Sequence, residues 1–135
     1  MGSDIYVADS LSQRIFGHPL GWSEENPFYI SLILENEKGN LLGFIMGQSI
    51  FENAELHYLG VDPNFLGKGY GTLLVKGFLE ACRRQGAETV ALEVRFSNGA
   101  AISLYEKTGF ATVSLRKNYY PDREDALLML YKFVS

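Results

Sequence analysis

Three stretches of this chain combine residue types and spacings that suit chemistry. Leu66-Gly67-Lys68-Gly69-Tyr70-Gly71 sets three glycines at alternate positions, followed by Thr72 and a run with helical periodicity. Glycines so spaced let a backbone approach an anion and aim several N–H groups at it, and a helix start adds partial positive charge. Such a turn suits a pyrophosphate, although glycine-rich turns before helices also serve structure alone. It is not a Walker A loop, which needs Gly-Lys-Ser or Gly-Lys-Thr. Nor is it the dinucleotide fingerprint, whose Gly-x-Gly-x-x-Gly spacing is missing.

The second feature is Glu93, a carboxylate inside the apolar stretch Val90-Ala91-Leu92-Glu93-Val94. Burying a carboxylate without a partner is costly, so Glu93 either faces solvent, pairs with Arg95, or does proton chemistry. The third is Tyr105, twelve residues on. It is a phenol able to protonate a leaving group, or a core aromatic spaced helically with Ile102. His57 could act as a second base but reads first as a structural histidine. Cys82 falls on an apolar helix face and reads as core.

These residues must be positioned by the surrounding elements. Asp4 to Phe16 is predicted as a first helix, with Asp4 as N-cap and Ile5, Ala8, Leu11 and Ile15 on one face. His18-Pro19-Leu20-Gly21 ends it, and Ser23 to Pro27 is too short for a long helix. Phe28 to Glu35 and Leu41 to Phe51 read as a hairpin around Glu37-Lys38-Gly39-Asn40. Leu56 to Val61 is a third strand, ended by Asp62-Pro63. A helix follows from Tyr70 to Gln85 with Gly86 as its stop. Next come a strand from Thr89 to Arg95, a helix capped by Ser97 or Asn98 and running to Lys107, and strands at Phe110–Arg116 and Ala126–Phe133. Early hairpins and later strand–helix–strand units predict an α/β (α+β) fold, a mixed, mostly antiparallel sheet flanked by helices.

Composition narrows the function. The 135 residues, 47% hydrophobic with nine Phe and eight Tyr, suit one domain over 1–135 with a packed core. A net charge of −4 lacks the basic footprint of a general nucleic-acid binder. One cysteine and two histidines leave no multi-cysteine or histidine-built metal site, so no metal is expected. A lone cysteine fits a reducing compartment, which points to the cytoplasm. No run of 18 apolar residues predicts a membrane span.

Four motifs then occur in order: Val61-Asp62-Pro63, Gly69-Tyr70-Gly71-Thr72-Leu73-Leu74, Leu92-Glu93-Val94-Arg95-Phe96-Ser97-Asn98, and Ala101-Ile102-Ser103-Leu104-Tyr105-Glu106-Lys107-Thr108-Gly109-Phe110. With Asn118-Tyr119-Tyr120-Pro121 and Arg123-Glu124-Asp125-Ala126, they resemble the GNAT acetyltransferase superfamily. More narrowly they resemble bacterial ribosomal-protein-alanine N-acetyltransferases and archaeal N-terminal acetyltransferases, strongly over residues 55–130. The resemblance implies acetyl-CoA as donor and no metal. It implies the pyrophosphate on Leu66, Gly67, Lys68, Gly69, Tyr70, Gly71 and Thr72, and the pantetheine arm along Leu59, Gly60 and Val61 and on Asn98. It also implies Glu93 as base, directly or through water, Tyr105 as acid, and Tyr119 and Tyr120 walling the groove for a protein N-terminus. The tyrosine pair fits lid packing equally well. Glu25, Glu52, Asp122 and Glu124 read as surface charge.

Three positions depart from the family pattern. Leu66 stands where Gln or Arg is usual. The second helix is shortened at Ser23–Pro27. The strand that normally precedes the first helix is missing, which would leave a bare sheet edge open to a second copy as a homodimer. The expected reaction is acetylation of a protein α-amine. A small amine, a lysine side chain, or a non-catalytic acyl-CoA-binding role remain as alternatives.

Overall fold

The computed structural model describes residues 4–6, 13–17 and 28–134. Strands are β1 (Asp4–Tyr6), β2 (Gln13–Gly17), β3 (Tyr29–Asn36), β4 (Leu41–Ile50), β5 (Asn53–Val61), β6 (Thr89–Arg95), β7 (Ala111–Arg116) and β8 (Ala126–Lys132). Among the described residues two α-helices, α1 (Tyr70–Arg84) and α2 (Gly99–Lys107), interrupt them. The strands form one sheet in the order β1-β2-β3-β4-β5-β6-β8-β7. Every neighbouring pair is antiparallel except β5–β6. The mixed sheet with helices is the predicted fold.

The front of the chain differs from expectation. Asp4–Tyr6 and Gln13–Gly17 are strands, not parts of one helix, and residues 7–12 lie outside the described residues. β2 runs along β3, with Ile15 opposite Leu34 and Phe16 opposite Ile33. The edge expected to be bare is therefore covered, which removes the argument for a dimer through it. The helical spacing of Ile5, Ala8, Leu11 and Ile15 was local information. An open row of β3 amides and carbonyls is a tertiary demand that overrides it. The expected short segment at Ser23–Pro27 and the charge at Glu25 also lie outside the described residues.

α1 forms because Leu74, Val75, Phe78, Leu79 and Cys82 recur at helical spacing, and all five are buried. They join Leu32, Leu34, Ile45, Leu56, Val90, Leu92, Val94 and Met129 in the main core. The sheet makes room for the helix at Gly47, where a Cβ would collide with the Glu55 carbonyl and the Phe78 ring. Gly86, at φ +93°, releases the chain from α1 in the left-handed region that favours glycine.

Two irregularities shape the centre of the sheet. Met46 pairs with Tyr58 and Gly47 with Leu56, so His57 is an extra residue in a β-bulge. The parallel pairing of β5 with β6 covers only Asn53–Thr89, Ala54–Val90 and Glu55–Ala91. Beyond Glu55 and Ala91 the strands continue without pairing to each other. A bulge bends its strand, and this one begins two residues after the last β5–β6 pair.

Candidate active site

The split between β5 and β6 leaves one edge of Leu56–Val61 without a partner strand, while β4 holds the other through Ile45–Leu59, Phe44–Gly60 and Gly43–Val61. An extended amide-bearing chain can bond to such an edge as a strand would. Leu59, Gly60 and Val61 lie on this unpaired edge.

β5 leads through Asp62 and a single 3-10 turn at Pro63–Phe65 to the glycine turn. Asp62 caps that turn, its Oδ1 accepting from the Asn64 N–H at 2.8 Å. Gly67 and Gly69 adopt φ +78° and +82°, and a Cβ at either would meet open space. They are needed for backbone conformation, whereas Gly71 is needed for room: a Cβ there would lie 3.1 Å from Leu104 Cδ2 on α2. Gly69 is the α1 N-cap and offers no side-chain bond, and no acidic residue stands in the first turn. The first backbone N–H groups of α1, around Tyr70, Gly71 and Thr72, therefore keep their donors for an anion. Lys68 is exposed, and Leu66 is 64% exposed with an apolar side chain. The donor set suits a pyrophosphate.

Glu93 and Tyr105 sit on opposite sides of β6. Leu92 and Val94 point into the core that Tyr105 joins, and alternation sends Glu93 to the other face. Tyr105, 7% exposed, packs edge-on to Phe110 at 5.7 Å, and burial pushes its phenol up to about 12. Because β5 and β6 part here, no backbone ladder separates the two sides of the sheet at this level.

The Glu93 carboxylate is engaged at both oxygens. Tyr119 donates its hydroxyl to Oε1 at 2.9 Å, and Arg116 Nη1 lies 3.1 Å from Oε2. Of the two bland readings, pairing with Arg95 is replaced by pairing with Arg116. Arg95 instead donates Nη1 to Asp122 Oδ2 at 2.8 Å and Glu124 Oε1 at 3.0 Å. Its guanidinium also lies 4.1 Å from the Tyr120 ring centroid, a cation–π contact. Glu124 Oε2 accepts from the Ser97 N–H at 2.9 Å. Asp122 and Glu124, expected as plain surface charge, thus anchor the β7–β8 loop to the end of β6. Hydrogen bonds, chiefly to Ser97 and Arg95 for Glu124 and to the Glu124 backbone N–H for Asp122, hold both carboxyls below the usual carboxylate range.

Tyr119 and Tyr120 meet edge-on at 5.1 Å. The Glu93 bond pushes the Tyr119 phenol up, and burial does the same for Tyr120. Asn98 spends its carboxamide oxygen on the Ala101 N–H as the α2 N-cap. Its NH2 is the part available to a pantetheine. His57 Nε2 lies 3.1 Å from Glu55 Oε1. Cys82 is buried, its thiol pushed up to about 12 by desolvation. Sequence reasoning named Arg95 only as a partner for Glu93, and missed its bonds to Asp122 and Glu124 and the place of Arg116. No local signal pairs Glu93 with a residue 23 positions away. Among the described residues no cluster suited to a metal occurs, and no helix is long and apolar enough to cross a membrane.

A sheet split between two parallel strands, beside a helix start with unused donors, can seat an extended, amide-bearing ligand with an anionic end. The family model for the acetyltransferase (GNAT) family matches residues 5–110, and the chain belongs to that family. It is 35% identical over 136 residues to the [ribosomal protein bS18]-alanine N-acetyltransferase of Escherichia coli K12, covering 94% of this chain and 90% of the relative. The crystal structure of the Escherichia coli ribosomal-protein-S18-alanine N-acetyltransferase superposes with a TM-score of 0.74 at 34% identity, over 88% of this chain and 82% of that one. Ard1 from Thermoplasma volcanium superposes at 0.72 with 33% identity, over 78% and 71%. The chain is an N-acetyltransferase of the GNAT type.

Proposed function

We propose that this enzyme moves an acetyl group from acetyl-CoA to the N-terminal α-amine of a protein, as ribosomal-protein-alanine acetyltransferases do. The observation that carries the reading is Glu93: an ionisable side chain beside the β5–β6 split, roofed by the Tyr119–Tyr120 loop. Likeness to the bS18-alanine enzyme over nearly the whole chain supports the acceptor class, and a ribosomal-protein acceptor implies the cytoplasm.

Acetyl-CoA supplies the acetyl group as a thioester. The backbone N–H groups from Gly67 to Thr72 bind its pyrophosphate, with Leu66 contributing backbone alone. The free edge at Leu59, Gly60 and Val61, with the Asn98 amide, orients its pantetheine. An α-amine has a pKa near 8, so Glu93 has a small task in accepting its proton near neutrality. Tyr105 stands on the opposite side of β6, and its raised pKa keeps the phenol protonated for donation to the departing sulfur. Tyr119 and Tyr120 wall the acceptor groove. Holding amine and thioester together in the split accounts for much of the rate.

The test is release of free CoA from acetyl-CoA with short peptides of varied N-terminus, using wild type, Glu93→Gln and Tyr105→Phe. Turnover on free-amine peptides, abolished by blocking the amine and lowered roughly 100-fold or more in each variant, is expected. Acetyl-CoA binding without turnover on any peptide would sink the reading.

A further inference from the structure

We propose that the Tyr119 hydroxyl is a further catalytic group, relaying the acceptor's proton to Glu93. The inference rests on the function proposed above and deepens it.

Both Glu93 oxygens are occupied, one by Tyr119 and one by Arg116. An incoming amine therefore meets the Glu93–Tyr119 pair, not a bare carboxylate. The phenol already donates its proton to Oε1, so its oxygen lone pairs are what it offers to the other side. Tyr119 is 45% exposed, so an acceptor can reach the residue. The hydroxyl is also fixed in place. Tyr119 packs edge-on to Tyr120, Tyr120 lies against the Arg95 guanidinium, and Arg95 is bound to Asp122 and Glu124. Arg116 prevents free rotation of the carboxylate and lies 5.6 Å from the Tyr119 ring centroid. A groove wall needs only the ring. The directed hydroxyl is an additional feature, and it points at the one carboxylate assigned as base.

The step balances. The amine nitrogen forms the C–N bond to the acetyl carbon while the C–S bond breaks. The nitrogen's surplus proton passes to the Tyr119 oxygen as the Tyr119 proton passes to Glu93 Oε1. The sulfur takes its proton from Tyr105. Amide and thiol result, leaving Glu93 protonated and Tyr105 as phenolate until solvent exchange restores both.

The test compares Tyr119→Phe, Glu93→Gln and the double variant with wild type, on the best free-amine peptide, with thermal melts confirming folded protein. Phenylalanine keeps the wall and removes only the relay. The expected result is a kcat roughly tenfold or more lower in Tyr119→Phe with acceptor KM within about twofold, and a double variant no slower than Glu93→Gln, because the two act as one unit. A Tyr119→Phe enzyme as fast as wild type, or faster, would overturn the relay while leaving the acetyltransferase reading intact. So would a double variant whose losses multiply. A wild type inactive on every free-amine peptide would overturn both.

Discussion

Glu93 and Arg95 stand on the same face of β6, two residues apart, and each holds one ring of the tyrosine pair. Glu93 accepts from the Tyr119 hydroxyl, and the Arg95 guanidinium lies against the Tyr120 ring. One pleat of one strand thus holds both the proposed base and the loop that roofs it.

Loss of Arg95 should therefore act on acceptor binding more than on chemistry. Arg95→Ala frees Asp122 and Glu124 as well as Tyr120. Steady-state kinetics should show acceptor KM raised roughly tenfold, with the KM for acetyl-CoA nearly unchanged. Arg95→Lys keeps a charge but not the planar face over Tyr120, and should recover only part of the loss.

The glycines of the turn before α1, the proposed phosphate site, should separate by role. Gly67→Ala forces a side chain to φ +78° with space around it. It should cost about 1–2 kcal/mol and raise the acetyl-CoA KM by displacing N–H groups. Gly71→Ala presses a methyl against Leu104. It should lower thermal stability by about 1 kcal/mol through overpacking between the helices. Melting curves and acetyl-CoA titration of both variants distinguish the two effects.

Leu66 offers a gain of function. Its exposed side chain precedes Gly67 and gives no charge to a phosphate. Leu66→Arg should lower the acetyl-CoA KM by roughly threefold to tenfold, and the gain should shrink as salt is raised. An unchanged KM at low salt would mean that this side chain does not face the phosphates.

Alkaline stability follows from two buried groups. Burial raises Cys82 from 9.0 to about 12 and Tyr105 from 10.0 to about 12. Below their unfolded pKa values both are neutral in either state, and their full contribution to stability is present. Between those values and about 12 the unfolded chain loses protons that the folded chain keeps, so stability falls as pH rises. Each group adds a slope of up to about 1.4 kcal/mol per pH unit. Urea midpoints should therefore begin to drop above about pH 9, and Cys82→Ala should flatten the first part of that drop. In the native enzyme the thiol should resist alkylation at pH 8, because burial disfavours the thiolate.

From β3 onward the fold was legible along the chain, because the signals there are local and agree with one another. Glycines end both helices, apolar residues recur at helical spacing in Leu74–Cys82, and Thr89–Arg95 is bounded as predicted. The glycine turn before α1 was legible for the same reason: its conformation resides in contiguous backbone. The front was misread because the Ile5–Ile15 spacing suits a helix in isolation, whereas the open edge of β3 is visible only once the sheet is assembled.

The site divides along the same line. Sequence alone singled out the candidate residues, since Glu93 in an apolar strand and Tyr105 on a helix are conspicuous by type and neighbourhood. Tertiary structure decided what those residues touch. Arg116 on Glu93, Tyr119 on the same carboxylate, and Arg95 on Asp122 and Glu124 are pairs 23 to 29 residues apart. They come together because β7 and β8 return beside β6, a long-range pairing that no local spacing encodes. The split between β5 and β6 is likewise a property of two strands far apart in the chain. It depends on where their pairing stops, which neither strand specifies alone.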